Sequence, residues 1–435
     1  MPIKRDQILE YHLGGKIALH LPKPLRGPGD LSLAYTPGVA EAVREIHRHP
    51  ETLGTYTAKR NLVAVATDGT AILGLGDLGA AASIPVMEGK AVLFKAFGDV
   101  DGWPVPLGRC RMGGADTGKT DPQRVIDAVA ALAPMYGGIN LEDIAAPACF
   151  EIEDKLDAML DIPVFHDDQW GTAVIVLAAT INYVRLAERR LEDLRIVVNG
   201  AGAAGMRITE MLKAAGAGAV TICDSKGVIC ASRTDLSGKK REHAVETRAR
   251  TVGEALRGAH LFIGVSVADC LTADDVLGMA SFPAIFAMAN PNPEIRPEVV
   301  AAAMGARPCV MATGRSDYPN QINNVLGFPY IFRGALDVGA RTVNLAMKQA
   351  AAQALAMLAR EPVTETVKRI YSAPDLEFGT HAVIPKPFDR RLFVEVPLAV
   401  AQAAVASGAA PAGFNIAAYR AALEARDLAR NFVAG

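Results

Sequence analysis

The sequence lacks the features that would place the chain in a membrane or in an oxidising compartment. Its apolar runs are too short to span a bilayer, and its first twelve residues contain no apolar segment typical of a signal peptide. The six cysteines form no C-x-x-C pair, which favours buried free thiols over disulfides. We therefore expect a cytoplasmic protein with no membrane partner.

The sequence also has no large excess of either positive or negative charge. The formal net charge is −2, which gives no general reason to expect binding to nucleic acid. Half of the residues are hydrophobic and 21% are charged, as in soluble globular proteins. Because 435 residues are too many for one ordinary hydrophobic core, we expect at least two domains.

The stretch 195–227 has the pattern of a dinucleotide-binding unit. A β-branched run ends in G-x-G-x-x-G, a helical pattern follows as far as Gly216, and a second apolar run ends at Asp224. The glycines permit a tight turn, close approach of a pyrophosphate and close helix packing, while the terminal acid can bind ribose hydroxyls. An ordinary βαβ unit is the alternative, but the order of the elements favours NAD+ or NADP+. The predicted cofactor-binding residues are Gly200, Ala201, Gly202, Ala203, Ala204, Gly205, Asp224, Ser225 and Lys226.

A second G-x-G-x-x-G occupies residues 74–79. It follows two apolar runs joined through Asp68-Gly69, which predict a β-hairpin. Since Pro85 leaves little room for a crossover helix, we interpret this motif as unrelated to dinucleotide binding.

Three further segments of the first half are ambiguous. Tyr35 precedes a helix predicted to begin near Val39, a position that usually serves packing. Lys90 lies at the start of AVLFKAF, which predicts a buried strand, and a lysine there is more often solvated than catalytic. Residues 98–120 predict a long loop rich in glycine and proline, either a lid or a solvated excursion.

Four carboxylates occur in two loops of the first half. Glu142 and Asp143 follow a Gly-Gly break, and Asp167 and Asp168 precede a helix that starts near Thr172. Carboxylate oxygens suit a hard cation such as Mg2+ or Mn2+. Helix capping is the alternative explanation for these acids.

The second half predicts the remainder of a parallel sheet. Apolar runs at 260–266, 283–290 and 308–314 alternate with helical stretches, and 335–360 predicts one helix. Asn290 and Asn324 lie just beyond such runs, at the side where these sheets bind ligands. We therefore predict an α/β protein with an N-terminal α/β substrate domain, a Rossmann-type doubly wound parallel sheet and C-terminal helices. The predicted boundaries are 1–165, 166–390 and 391–435.

Ordered motifs between residues 30 and 395 resemble those of a known family. They read YTPGVAEAV, DGTAILGLGDLG, MEGKAVLF, INLEDIAAP, HDDQWGTA, NGAGAAG, FAMANPNPEI and RSDYPNQINNVLGFPYIFRGALD. Together they resemble the malic enzymes, most closely the shorter bacterial form. Two departures are visible: Trp170 stands where the bacterial motif usually has histidine, and the 98–120 loop is about ten residues longer than expected. As a third departure, we expect a form without the phosphotransacetylase-like domain of longer bacterial relatives.

The resemblance implies oxidative decarboxylation of (S)-malate to pyruvate and CO2 with NAD+ or NADP+ and a divalent metal. Family members are usually dimers or tetramers, so it also implies a homo-oligomer. It implies the following roles: general acid for Tyr35, general base for Lys90, metal ligands for Glu142, Asp143 and Asp168, and contacts with substrate or nicotinamide for Asp167, Asn290 and Asn324.

Two other classes of protein share this domain order, and the cofactor stays open. Amino-acid dehydrogenases need no metal, so insensitivity to EDTA would favour them. A silent dinucleotide sensor would have lost the acids at 142, 143 or 168, which are all present. Asp224 should repel the 2′-phosphate of NADP+, whereas Ser225 and Lys226 beside it could bind one.

Overall fold

The computed structural model describes residues 4–115, 117–236 and 238–430, and its strands form two separate sheets. The strands are β1 (Leu62–Thr67), β2 (Asp101–Pro106), β3 (Gly138–Leu141), β4 (Val164–His166), β5 (Arg195–Asn199), β6 (Ala219–Asp224), β7 (Gly227–Val228), β8 (Leu261–Gly264), β9 (Ala284–Ala287) and β10 (Val310–Thr313). The first sheet has the order β2-β1-β3-β4 and is parallel throughout. The second has the order β10-β9-β8-β5-β6-β7, and β7 alone runs antiparallel to its neighbour.

Helices pack around both sheets. They are α1 (Arg5–Tyr11), α2 (Pro28–Ala34), α3 (Val39–Arg48), α4 (Leu53–Tyr56), α5 (Ala80–Gly98), α6 (Pro122–Leu132), α7 (Ala148–Met159), α8 (Thr172–Leu186), α9 (Ala203–Ala214), α10 (Gly238–Glu242), α11 (Val252–Leu256), α12 (Ala273–Leu277), α13 (Pro297–Met304), α14 (Phe328–Val338), α15 (Leu345–Arg360), α16 (Glu365–Ile370), α17 (Leu392–Ala406) and α18 (Ile416–Ala429). An α/β substrate domain followed by a Rossmann-type domain and C-terminal helices is therefore confirmed.

The second sheet follows the sequence pattern closely. The runs predicted at 260–266, 283–290 and 308–314 contain β8, β9 and β10, and β5, α9 and β6 form the predicted βαβ unit. These strands are buried almost without interruption because helices cover both faces of a parallel sheet.

The hairpin predicted through Asp68-Gly69 is wrong. Strand β1 lies between β2 and β3 and pairs with both in parallel, so the chain leaves the sheet after Thr67. The Asp68 side chain accepts hydrogen bonds from Thr70 and Thr120 and pairs with Arg111, which fixes the start of a loop that continues to Gly79. The chain therefore does turn at Asp68-Gly69, but this turn follows the end of β1 and does not connect two strands of a hairpin.

The strand predicted after Lys90 is wrong as well. Residues 80–98 form helix α5, which contains Pro85 near its start. Its buried residues include Met87, Ala91 and Phe94, and their spacing is helical. A short run that is apolar on all sides does not distinguish a buried helix from a buried strand. The motif at 74–79 does precede a long helix, but it follows a loop and not a strand.

Two other boundaries differ from the prediction. Residues 98–120 contain β2, an edge strand whose two prolines suit a position with one free side. Arg111 in the same segment is buried and bound to Asp68 and Asp77, so this part of the segment is not a solvated excursion. The helix predicted over 335–360 is divided, because Gly339 ends α14 in a left-handed conformation.

The C-terminal helices join the two sheets. Residues of α5, α14, α15 and α17 share one hydrophobic cluster, and the rings of Phe94 and Phe328 meet at 4.7 Å. Arg426 on α18 pairs with Asp99 at the end of α5 at 2.7 Å. The boundaries 1–165, 166–390 and 391–435 stay predictions, and residues 1–3 and 431–435 lie outside the described part of the chain.

Two expectations from composition can be compared with the fold. Of the six cysteines, four are buried, Cys309 is half-buried and Cys270 is exposed, and all six thiols are free. Among the described residues, no helix combines the length and the apolarity needed to cross a bilayer.

Candidate active site

Three of the four predicted carboxylates converge at one edge of the first sheet. Glu142 and Asp143 directly follow β3, and Asp168 lies in a π-helical turn after β4. Strands β3 and β4 are parallel neighbours, so their carboxyl ends bring both loops together. One oxygen from each of the three side chains lies within 4.8 Å of the others.

Backbone geometry holds this carboxylate cluster in place. Asp143 has a positive φ of 52°, and its N–H donates to Asp168 Oδ2 at 2.7 Å. The side-chain amide of Asn140 donates to Glu142 Oε2 at 2.9 Å. Two loops that are distant in sequence are therefore bound directly to one another.

The cluster has the chemistry of a site for a hard divalent cation. Burial and the nearby Asp168 raise the pKa of Asp143 to about 7, and burial raises the pKa values of Glu142 and Asp168 even though Lys90 opposes it. Asp143 Oδ2 is buried and has no hydrogen-bond partner among the described residues. Crowded carboxylates of this kind match the oxygen ligands that Mg2+ and Mn2+ prefer.

Lys90 projects from α5 into the same cluster. Its Nζ lies 2.6 Å from Asp167 Oδ2 and 2.9 Å from Glu142 Oε1, and it lies over the Phe328 ring at 4.4 Å. Burial alone would lower the pKa of Lys90, but the carboxylates of Asp167, Glu142 and Asp168 outweigh burial and raise it. Lys90 is therefore a buried cation as long as those carboxylates carry their charge.

Asp167 and Asn324 connect this site to the second domain. Asp167 is fully buried, and Asn324 Nδ2 donates to its Oδ2 at 3.2 Å. Thr172 at the start of α8 donates to Asn324 Oδ1 at 3.1 Å, which orients the amide. Asn324, predicted from its position beyond β10, thus lies beside Asp167 and Lys90.

Tyr35 and Asn290 are not brought into this cluster. Tyr35 follows α2, and the residue is 69% exposed, so it does not pack against α3 as an ordinary structural tyrosine would. Asn290 follows β9 and is exposed, with its carbonyl close to Gly74 of the first domain. No described contact joins either residue to Lys90.

The glycine-rich turn has the geometry expected for phosphate binding. Gly200 has a φ of +119°, and a Cβ there would lie 2.4 Å from the Val265 carbonyl. A Cβ at Gly205 would overlap the carbonyl of Gly200, so helix and strand meet closely. A Cβ at Gly202, at the N-terminus of α9, would meet no atom within 4 Å, so a ligand can approach the backbone there.

The sequence did not predict a buried group of hydrogen-bonded residues, centred on Glu153, that lies behind the carboxylate cluster. Glu153 on α7 accepts hydrogen bonds from the His166 N–H, Trp170 Nε1 and Arg207 Nη2 at 2.9, 3.1 and 3.2 Å. Arg207 belongs to α9 and also donates to Gln169 at 2.9 Å. The dinucleotide helix is thus bound to the turn that carries Asp168.

Trp170, which departs from the bacterial motif, is part of this group. Its ring lies 3.7 Å from Lys348 Nζ and 4.6 Å from the Arg207 guanidinium carbon. Burial lowers the pKa of Lys348 to about 8. An aromatic ring in contact with two cations is a favourable arrangement that a protonated histidine could not reproduce.

Replacing Glu153 by alanine should destabilise the fold by about 3 kcal/mol, because Arg207 would lose its buried carboxylate partner. Urea unfolding monitored by circular dichroism measures this change. Glu151→Ala is the matched control: Glu151 lies on the same helix and forms an exposed pair with Lys155, so its loss should cost less than about 1 kcal/mol. Equal effects in the two variants would contradict a structural role for the buried group.

The fold and the site define a two-domain α/β protein with a dinucleotide-binding domain and an acidic cluster around a buried lysine. Residues 20–157 match the family described as malic enzyme, N-terminal domain, and residues 170–377 match malic enzyme, NAD binding domain. The chain therefore belongs to the malic enzyme family.

Individual relatives agree with this assignment. The chain is 50% identical to the probable NADP-dependent malic enzyme of Rickettsia prowazekii over 98% of its own length, but it spans only 55% of that protein. It is 50% identical to the NADP-dependent malic enzyme of Halomonas elongata, covering 94% of this chain and 95% of the relative. The crystal structure of malic enzyme from Pyrococcus horikoshii is similar with a TM-score of 0.86, 37% identity and coverage of 99% and 97%.

Proposed function

We propose that the chain catalyses the oxidative decarboxylation of (S)-malate to pyruvate and CO2, with NAD+ or NADP+ and with Mg2+ or Mn2+. The observation that carries this proposal is the placement of Lys90 within 3 Å of Glu142 and Asp167, beside Asp143 and Asp168. A base and a cation site in contact are what removal of a hydroxyl proton next to a carboxylate requires. The names of the similar proteins support the same reaction.

Glu142, Asp143 and Asp168 would hold the divalent cation. A cation held there would supply a Lewis acid for the C2 oxygen, and a bound nicotinamide would supply the hydride acceptor. Asp167 and Asn324 orient the base and the substrate from the side of the second domain.

Lys90 takes the proton of the C2 hydroxyl. For this step its amine must be neutral, which the charged carboxylates around it oppose. Neutralising those carboxylates would remove the groups that raise its pKa, and the remaining influence of burial would favour the free amine. The acidic cluster therefore determines when Lys90 can act as a base.

Tyr35 donates the proton that C3 of enolpyruvate receives after CO2 has left.

We further propose that the chain forms a homo-oligomer. Large apolar side chains on α1, α2 and α3 are exposed, including Leu31 and Leu33 just before Tyr35. Assembly through this face would cover Tyr35 and give it the drier surroundings in which an acid acts effectively.

Purified protein with malate, either cofactor and Mn2+ should produce pyruvate and reduced cofactor in equal amounts. Coupled assays for pyruvate and the absorbance of the reduced nicotinamide measure the two products. EDTA should stop the reaction, and restored Mn2+ should recover it. If oxaloacetate accumulates without release of CO2, the chain is a plain malate dehydrogenase and the proposal is wrong.

A further inference from the structure

Arg207 lies between the glycine-rich turn and the carboxylate cluster. It belongs to the second turn of α9, the helix that follows the glycine-rich turn, and it is only 5% exposed. Its Nε donates to Gln169 Oε1 at 2.9 Å, and Gln169 directly follows Asp168 in the π-helical turn. One buried side chain therefore connects the helix of the dinucleotide-binding unit to the turn that carries a predicted metal ligand.

Further contacts fix the Arg207 guanidinium from the side of α7 and of α9. Its Nη2 donates to Glu153 at 3.2 Å and to Asp154 at 3.0 Å, and its Nη1 donates to Glu210 at 2.8 Å. The guanidinium carbon lies 4.6 Å from the centroid of the Trp170 ring. Hydrogen bonds between a guanidinium and carboxylates are strong and directional, so a displacement of α9 reaches every partner of Arg207.

The π-helical turn is bound to the first domain on its other side. Gln169 is fully buried, and its Nε2 donates to the Cys149 carbonyl at 3.3 Å. The preceding residue, Asp168, accepts the Asp143 N–H through Oδ2 at 2.7 Å. A shift of Gln169 therefore changes the position of Asp168 relative to the other two carboxylates, whose oxygens have to converge on one cation.

We propose that Arg207 is a positioning residue that couples dinucleotide binding at the glycine-rich turn to cation binding at Asp168. The proposal rests on the proposed function, because it describes how the two ligands of that reaction assemble. A bound pyrophosphate would hold the N-terminus of α9 in place, and Arg207 and Gln169 would then hold Asp168 where the cation requires it. Because coupling between two sites is reciprocal, each ligand should tighten the binding of the other by the same factor.

Calorimetry with Mn2+ tests the coupling without malate and without turnover. The full chain is titrated with Mn2+, alone and with saturating ADP-ribose, and Mn2+ binding to ADP-ribose itself is measured without protein and subtracted. ADP-ribose carries the pyrophosphate but no nicotinamide, so its effect on Mn2+ reports on the protein between the two sites. We expect Mn2+ to bind at least about fivefold more tightly with ADP-ribose, and ADP-ribose to gain equally from Mn2+.

Two results of this titration would overturn the coupling. The first is an equal Mn2+ affinity with and without ADP-ribose, or the failure of either ligand to bind. The second is a factor that disappears at high salt. Salt screens a direct attraction between exposed charges but has little influence on contacts between buried side chains, so the factor should persist.

Variants test whether the coupling passes through Arg207. Arg207→Met keeps an apolar stem and removes the donors, so the factor should fall close to one, and Arg207→Lys should recover part of it. Gln169→Met removes the contact with the turn, keeps the carboxylate partners of Arg207, and repeats the test should Arg207→Met fail to fold. Lys213→Met is the matched control, since Lys213 is exposed on the same helix and contacts His243 at 3.1 Å.

A loss of stability does not by itself support the positioning role. Titrated without Mn2+, ADP-ribose should bind each folded variant within about twofold of the wild type, because the glycine-rich turn is unchanged. If Arg207→Met or Gln169→Met unfolds more easily but keeps the wild-type factor, the role of Arg207 is structural only and the proposal is wrong. An equal loss of the factor in Lys213→Met would contradict it as well.

The fluorescence of Trp170 follows the same event by a different signal. The chain has two tryptophans, so Trp103→Phe leaves Trp170 as the only one. Its ring contacts the Arg207 guanidinium and its Nε1 donates to Glu153, so ADP-ribose should change its emission, and Arg207→Met should abolish the change. The same change in Arg207→Met would mean that the turn responds by another route, and would overturn the role of Arg207.

Malate turnover distinguishes this proposal from the proposed reaction. Absence of turnover in a protein that shows the coupling would count against the proposed reaction and leave the role of Arg207 standing. Normal turnover in a protein without the coupling would overturn the role of Arg207 and leave the reaction standing.

Discussion

Replacing Asp168 by alanine should abolish metal-dependent malate turnover and leave dinucleotide binding intact. Asp168 supplies one of three carboxylates whose oxygens lie within 4.8 Å of one another. Loss of a cation that stabilises charge at the reacting oxygen removes several kcal/mol, so turnover should fall by at least about 10³-fold. The glycine-rich turn at 200–205 belongs to another element and should still bind cofactor.

Three measurements separate this effect from general damage. Calorimetry with Mn2+ should show weaker metal binding in Asp168→Ala and in Asp168→Asn, which keeps the shape and removes the charge. Titration with dinucleotide should match the wild type. As a control, Asp161→Ala removes an exposed carboxylate seven residues earlier in the chain. It should leave malate turnover, Mn2+ binding and dinucleotide binding unchanged. Near-normal malate turnover in Asp168→Ala would mean that Glu142, Asp143 and Asp168 are not a metal site.

The dinucleotide turn could be predicted, because the glycines, the helix and the next strand are all local in sequence. The four carboxylates could be placed in two loops for the same reason, whereas their role as metal ligands was implied by the family resemblance. The convergence of the two loops follows from sheet topology: Glu142 and Asp168 each follow a strand, and parallel neighbours place their carboxyl ends at one edge.

The parts that could not be predicted depend on contacts between distant residues. Helix α5 is buried on several sides, so its sequence carries no amphipathic period that would distinguish it from a strand. Arg233 and Lys240 lie nine and sixteen residues beyond Asp224, and no spacing rule brings them back to it. The partners of Glu153 likewise come from three separate elements.

Lys90→Ala should lower malate oxidation by about 10²–10⁴-fold, because it removes the base that accepts the C2 hydroxyl proton. The lysine is also the counter-ion of Asp167 and Glu142, so thermal unfolding and Mn2+ affinity must be measured beside turnover. Lys95→Ala is the matched control: it lies on the same helix, and its exposed ammonium pairs with Asp99 and Asp101. If Lys90→Ala oxidises malate at a rate close to that of Lys95→Ala, Lys90 is not the base.

Tyr35→Phe should be defective at a later step of the reaction than Lys90→Ala. The substitution removes one O–H from a ring of nearly the same shape, and the residue is 69% exposed in the single chain, so folding and malate binding should survive. Decarboxylation precedes protonation of C3, and the defect should therefore appear in the tautomerisation of enolpyruvate. Exchange of the methyl protons of pyruvate with deuterated solvent, followed by NMR, measures this step directly, and we expect it to be lost. Exchange and turnover close to wild type would mean that Tyr35 is not the acid, since its exposure already argues against a role in packing.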